Sequence, residues 1–418
     1  MEKHVKEQVL RNCNLLPISS LDKIVAEGHV TIEEFKNYNL EISKVNELLE
    51  LEAKRNGTFI PEEVVEEEDF FVPNHIDQPK SSAANKQDLL NKILEETIDA
   101  DDIKDLLISN VLSFDDLLEG GINPRIVNSL RHFIQPALVK TYTVDKLPIM
   151  EEGRTDLFFI GVPAAGKSTM LAGMMKYVHQ EGIMIPDSYN NAGNVYSEYL
   201  ISGINKGLLP RGTVAGSYNY IAASIKDKGG KSHPFNIVEV AGENYIKIFN
   251  DGLQSQEVKG FVDYIKNRNK KILIFVIDSL AHHTQMETFT DNVDQSIAYS
   301  NIISMFKDSG VLKNVDAIYL VANKFDAIMN TKYFGSAEKE SDLAVQFLNE
   351  EFKSLINICK DARDNSKHKF EIKVFPFSIG SVSYDKILTH FEPKYSEVIV
   401  SNVLEDSFVV KGGKFWKF

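Results

Sequence analysis

The residue types best suited to chemistry lie together in Gly161-Val162-Pro163-Ala164-Ala165-Gly166-Lys167-Ser168-Thr169. Its glycines permit a tight backbone curl that turns several N–H groups into one concavity, and a helix starting at the lysine adds its positive end there. Such a concavity suits phosphate. Gly161, Ala164, Ala165, Gly166, Lys167, Ser168 and Thr169 form the expected phosphate-binding set, with Lys167 reaching the β- and γ-phosphates and the Ser168 hydroxyl binding Mg²⁺.

The flanking residues supply the context such a loop needs. Asp156 to Ile160 is a short apolar run suited to a buried strand, and Met170 to His179 places apolar residues at helical spacing.

A second chemical stretch, Asn323-Lys324-Phe325-Asp326, follows the apolar run Ala317 to Ala322, at the carboxyl end of an expected parallel strand. A carboxylate there can accept two hydrogen bonds from the N1–H and exocyclic NH₂ of guanine, and adenine offers no such donor pair. With the phosphate loop upstream, these residues resemble the translation-factor and Ras-like class of P-loop GTPases, whose guanine motif is Asn-Lys-x-Asp. The resemblance implies that Asn323 fixes the loops around the base, Lys324 covers it with its aliphatic stem and Asp326 reads it. Ser378, in Phe377-Ser378-Ile379-Gly380, matches the serine of the last motif of that class.

The same resemblance implies a threonine that binds Mg²⁺ and senses the γ-phosphate, and Thr213 in Pro210-Arg211-Gly212-Thr213 stands at the expected place. The Asp-x-x-Gly motif of the class appears as Glu239-Val240-Ala241-Gly242, a departure in which a longer carboxylate must hold the metal. Gly242 takes the place of a backbone donor to the γ-phosphate. Glu243 follows where Ras-like members carry a water-orienting glutamine. Arg211 is placed to act in cis on transition-state charge. The expected catalytic set is therefore Lys167, Thr213, Gly242, Glu243 and Arg211, and the expected metal set is Ser168, Thr213 and Glu239. GTP or GDP and Mg²⁺ are the implied ligands. Glu181 to Pro210 is longer than a minimal connection and includes a helix near Val195–Lys206, suited to a lid or effector surface. The Pro-Arg-Gly-Thr and Ala-Gly-Glu stretches are similar to bacterial GTPases of conflict and defence systems.

Alternating strands and helices position these residues. Strands are expected at 156–160, 218–225, 234–240, 272–278, 316–322 and 371–377, and helices include 296–308 and 341–359. Residues 395–406 suit either a last helix or a strand. The fold class is α/β, a P-loop NTPase of Ras-like type with a mostly parallel sheet between helices, preceded by a small all-α duplicated region.

That duplication appears when the chain is slid against itself. Val30-Thr31-Ile32-Glu33-Glu34-Phe35 matches Leu112-Ser113-Phe114-Asp115-Asp116-Leu117, and Leu21, Val25 and Leu48 fall on Ile103, Leu107 and Leu130. Thr31 and Ser113 read as helix N-caps, and Glu34 is placed to close a capping box. The expected organisation is helical module 1–52, an acidic and polar linker 53–85 containing Phe70-Phe71, helical module 86–135, a nucleotide domain 140–406 and a basic, aromatic tail 407–418. The modules are expected to bind a protein partner.

A formal charge of −14 over 418 residues argues against a broad nucleic-acid surface. Two distant cysteines, Cys13 and Cys359, form no disulfide framework or metal spacing, and His282-His283 lacks a nearby third ligand. No apolar run is long enough for a membrane span, so a cytoplasmic protein is expected. The leading functional expectation is slow GTP hydrolysis by a nucleotide-dependent switch. A nucleotide-stabilised scaffold with little turnover is the alternative that Glu239 and Glu243 favour. An ATPase or kinase would need an arginine-rich lid that is not visible.

Overall fold

The computed structural model describes residues 6, 18–26, 28–37, 44, 48, 51, 55, 83–134, 140–280 and 294–407. The acidic linker centre with Phe70-Phe71, the His282-His283 pair and the tail beyond Ser407 lie outside the described residues. The chain divides into two compact units, Met1–Gln78 and Pro79–Phe418.

In the first unit, α1 (Ile18–Ala26) and α2 (Ile32–Asn37) bury Leu21, Val30, Ile32 and Phe35 together with Leu48. The Glu34 N–H donates to the Thr31 hydroxyl at 3.1 Å, and the Thr31 N–H donates to the Glu34 carboxylate at 3.0 Å. This capping box is worth about 1 kcal/mol.

The repeated stretch in the second unit forms α3 (Ala83–Leu94), α4 (Ala100–Ile108), α5 (Phe114–Glu119) and α6 (Pro124–Phe133). Ser113 and Asp116 make the same reciprocal pair, at 3.1 and 2.7 Å. Ile103, Leu112, Leu117 and Leu130 are buried, as Leu21, Val30, Phe35 and Leu48 are in the first copy. The apolar pattern shared by the two copies is thus a shared core pattern.

Next in the chain, β1 (Thr155–Ile160) leads into α7 (Lys167–Gln180), followed by β2 (Met184–Pro186) and α8 (Asn191–Asn205). The hairpin β3 (Tyr218–Lys226) and β4 (Ser232–Val240) precedes α9 (Gly242–Asp251), α10 (Gln256–Ile265) and β5 (Lys270–Asp278). Then come α11 (Gln295–Asp308), β6 (Val315–Asn323), α12 (Phe325–Asn330), α13 (Glu340–Glu351), α14 (Lys353–Asp364) and β7 (Glu371–Phe377). A second hairpin, β8 (Gly380–Ser383) and β9 (Ile387–Phe391), leads to α15 (Pro393–Ser407).

Among the described residues the main sheet has seven strands in the order β2-β3-β4-β1-β5-β6-β7. Strands β4, β1, β5, β6 and β7 pair in parallel, whereas β3 is antiparallel to both β2 and β4. Helices cover both faces, with α7 between α8 and α15, and α11 against α9 and α14. Being covered on both sides, β1, β5 and β6 are close to continuous apolar runs.

Two features differ from the sequence reading, and a third settles an alternative that it carried. The strand at 218–226 runs antiparallel, because a five-residue turn joins it directly to β4. The stretch expected as one helix from 341 to 359 is two helices broken at Phe352, whose ring is fully buried. Residues 395–406, left open between helix and strand, are helical, with Tyr395, Ile399 and Val403 buried at a spacing of four while Val398 faces out.

The hairpin β8–β9 attaches the α3–α6 module to the sheet domain. Tyr384, Ile387 and Leu208 share a core with these helices, and the Tyr384 hydroxyl donates to the Ile93 carbonyl at 2.9 Å.

Candidate functional site

β1 has β4 on one side and β5 on the other, and the chain builds the β3–β4 side before crossing to β5. The carboxyl end of β1 is therefore the point where strand order reverses, which is where open α/β sheets bind ligands. The stretch 161–166 leaves that end. Gly166 has φ +87°, and a Cβ built there would lie 2.1 Å from the Asn323 amide, so both backbone shape and close approach require glycine. Ala164 also takes a positive φ, +59°.

Lys167 opens α7 and is 6% exposed. Its ammonium donates to the Gly161 carbonyl at 2.8 Å and the Val162 carbonyl at 3.1 Å, so the side chain folds back over the loop. Burial pushes the amine down to about 8, while the Glu239 and Glu243 charges oppose that shift. The Tyr299 hydroxyl braces the loop, accepting from the Val162 N–H at 3.2 Å and donating to the Val276 carbonyl at 2.8 Å.

Ser168, Thr213 and Glu239 converge from three elements. The Ser168 and Thr213 hydroxyl oxygens are 3.1 Å apart. Ser168 donates to Glu239 Oε1, and Thr213 donates to the same oxygen at 3.3 Å. This cluster of two hydroxyls and one carboxylate consists only of hard oxygen donors, a set that fits Mg²⁺. Glu239 is completely buried in β4 next to β1, in register with Phe159.

Immediately after β4, Gly242 starts α9. A Cβ there would meet the Pro163 nitrogen at 2.3 Å, so its backbone lies directly on the 161–166 loop. Glu243 is half-buried in the first turn of α9, and its charge, after that of Glu239, opposes the downward push of burial on the Lys167 amine.

The Asn323 loop stands beside the same cradle. The Asn323 amide donates to the Ala165 carbonyl at 2.7 Å, which ties the two loops together. Lys324 has φ +57° and pairs with Asp278, across from Asn323 on β5, at 2.7 Å. Gln295 locks the end of β5 by accepting from the Asp278 N–H and donating to the Asp278 carbonyl, both at 3.0 Å. Asp326 lies exposed in the first turn of α12. Ser378 is buried, and its hydroxyl accepts from the Gly380 N–H at 3.2 Å.

Arg211 is engaged elsewhere. Its guanidinium donates to the Phe133 carbonyl at 2.6 Å and lies 5.5 Å from the centre of the Phe133 ring. The residue expected to face transition-state charge is thus held by the helical module. The stretch before it is anchored too, since the Ser129 hydroxyl donates to the Lys206 carbonyl at 2.8 Å and Leu208 bridges to Ile387.

Sequence reasoning missed Tyr196, Asn219, Tyr299, Gln295 and Asp278. Only Asp278 carried a signal, as a polar residue ending an apolar run at a strand's carboxyl end. The others depend on packing between distant elements.

The 161–166 loop at the switch point and the mostly parallel sheet are compatible with a P-loop NTPase fold. No protein-family model matches the chain, and no curated protein matches it. Among solved structures, the signal recognition particle receptor SRb-GTP/SRX complex from Chaetomium thermophilum matches with a TM-score of 0.32 and 14% identity, over 56% of this chain and 94% of that chain. No helix among the described residues is long and apolar enough to cross a membrane.

Proposed function

We propose that the chain binds Mg²⁺-GTP, hydrolyses it slowly to GDP and phosphate, and acts as a nucleotide-dependent switch coupled to its helical modules. The convergence of Ser168, Thr213 and Glu239 beside the buried Lys167 carries this reading. The proposal places the protein in the translation-factor and Ras-like class, with bacterial conflict-system GTPases as the nearer group.

In this reading the Gly161–Gly166 backbone and Lys167 hold phosphate, and Ser168 and Thr213 hold the metal with Glu239 behind them. Mg²⁺ held there would neutralise charge on the phosphate oxygens. Gly242 presents its N–H where the γ-phosphate ends, so the α9 start and the Thr213 stretch respond to its loss. Asn323, Lys324 and Asp326 receive guanine, with Ser378 behind the base. Glu243 in place of an amide brings a negative charge toward an anionic substrate, which argues for slow turnover. It equally favours the scaffold reading, in which bound nucleotide stabilises an assembly without useful turnover.

The test is competition among GTP, GDP, ATP and ADP for purified protein with Mg²⁺, together with phosphate release over hours and Lys167→Ala as the control. Guanine preference with slow release supports the switch. Guanine preference without release selects the scaffold, and equal or better ATP binding removes the assignment.

A further inference from the structure

The Glu239 carboxylate divides its two oxygens between two sets of partners. Oε1 faces the Ser168 and Thr213 hydroxyls. Oε2 accepts from the Tyr196 hydroxyl and from the Asn219 amide, the latter at 3.1 Å. Asn219 lies directly across from Glu239 in the β3–β4 ladder. Tyr196 comes from α8, the helix inserted between β2 and β3, and is 4% exposed. Its ring stacks on Tyr199 with centroids 6.2 Å apart and planes 20° apart.

A glutamate has one more rotatable bond than an aspartate, so without restraint its carboxylate would sample several positions at the strand end. Partners on the far oxygen remove that freedom. We infer that Tyr196 and Asn219 are positioning residues of the metal site: they hold Oε2 so that Oε1 alone is presented to Ser168, Thr213 and the cation. The inference rests on the Mg²⁺-nucleotide reading above. It gives the inserted helix α8 a chemical role, that of supplying the donor that lets glutamate stand where the class carries aspartate.

Tyr196→Phe removes the hydroxyl and keeps the ring stacked on Tyr199. The probe is a fluorescent guanine nucleotide, titrated with Mg²⁺ on the full chain and measured again in EDTA. Loss of an outer partner of a metal ligand typically costs roughly 10- to 100-fold in metal affinity. The Mg²⁺ concentration for half-maximal effect should rise by that factor, with nucleotide affinity in EDTA unchanged. In a Glu239→Asp background, whose shorter carboxylate cannot reach Tyr196, adding Tyr196→Phe should change the Mg²⁺ requirement by less than about threefold, because the coupled partner is gone. A purely structural tyrosine would weaken binding equally with and without Mg²⁺, and that result overturns the inference. So does an unshifted Mg²⁺ requirement in Tyr196→Phe. Should that variant fail to fold, Asn219→Ala is read by the same titration with the same two outcomes. Wild-type protein whose nucleotide affinity ignores Mg²⁺ overturns this inference and the reading beneath it together, whereas a Mg²⁺-dependent wild type with an unaffected Tyr196→Phe overturns this inference alone.

Discussion

Arg211 and Phe133, 78 residues apart in sequence, are joined by a guanidinium-to-carbonyl hydrogen bond of 2.6 Å, with the cation 5.5 Å above the ring. Arg211 is two residues before Thr213, so the segment bearing the Thr213 hydroxyl is fastened at its base to the last helix of the α3–α6 module.

Arg211→Ala should therefore loosen the module from the domain and leave chemistry largely intact. The expected stability loss is about 1 kcal/mol, the value of an exposed cation–π contact with its hydrogen bond. Hydrogen exchange should quicken in α6. Single-turnover GTP hydrolysis should change less than threefold, against the loss of roughly 10³-fold or more that accompanies removal of a transition-state arginine. A loss of that size would return Arg211 to the catalytic set.

Asp326→Asn should abolish the preference for guanine. The amide keeps one acceptor but turns a donor toward the base, so about 3 kcal/mol, roughly 100-fold in affinity, should be lost for GTP and little for ATP. Competition binding reads both numbers. A variant that keeps its preference would make Asn323-Lys324-Phe325-Asp326 a structural turn.

Two glycines should respond to alanine with opposite signs. Gly242→Ala drives a methyl group into the Pro163 backbone at 2.3 Å, and overpacking of this kind costs about 1–3 kcal/mol. Nucleotide affinity should fall with it, since the clash displaces the loop proposed to hold phosphate. Gly260 lies inside α10, where a Cβ would make ordinary contact with Val144 at 3.6 Å. Gly260→Ala should raise stability by about 0.5–1 kcal/mol through helix propensity. Thermal melts of the two variants check both signs.

Lys167 predicts a pH dependence. Burial lowers its amine from the ordinary 10.5 to about 8, so between those values the unfolded chain binds more protons than the folded one. For this group, stability rises with pH across that window and its burial penalty is complete below it. Phosphate binding has the opposite sign, because it needs the charged amine. Affinity for GTP should be flat below pH 8 and fall between pH 8 and 9, with proton uptake measurable by calorimetry in two buffers. Lys167→Arg, whose charge is fixed, should remove the slope. A slope that persists in this variant would assign the titration to another group.

Much of the sheet was legible because strands covered on both faces must be apolar throughout. The runs around Phe158, Ile274 and Tyr319 declare themselves without any periodicity. The two loops were legible because close approach demands particular residues, as at Gly166 and Asn323. What stayed hidden depends on pairing or packing at a distance. β2 has only three residues at a sheet edge, and nothing local in Tyr218 to Lys226 states its direction. Phe352 separates α13 from α14 without a glycine or proline, through a non-helical backbone at φ −120° and ψ 32°. Tyr196 reads as an ordinary helical aromatic until α8 is laid against β4.

The bond from the Asn323 amide to the Ala165 carbonyl has one further consequence. It holds the loop proposed to take the base at a fixed separation from the loop proposed to take the phosphates, so once one end of a nucleotide docks, the other arrives at a high effective concentration. A free base or pyrophosphate alone forgoes that gain. The intact nucleotide should then bind more tightly than the affinities of its fragments would suggest, and cutting this single tie by Asn323→Ala should bring the whole closer to the sum of its parts.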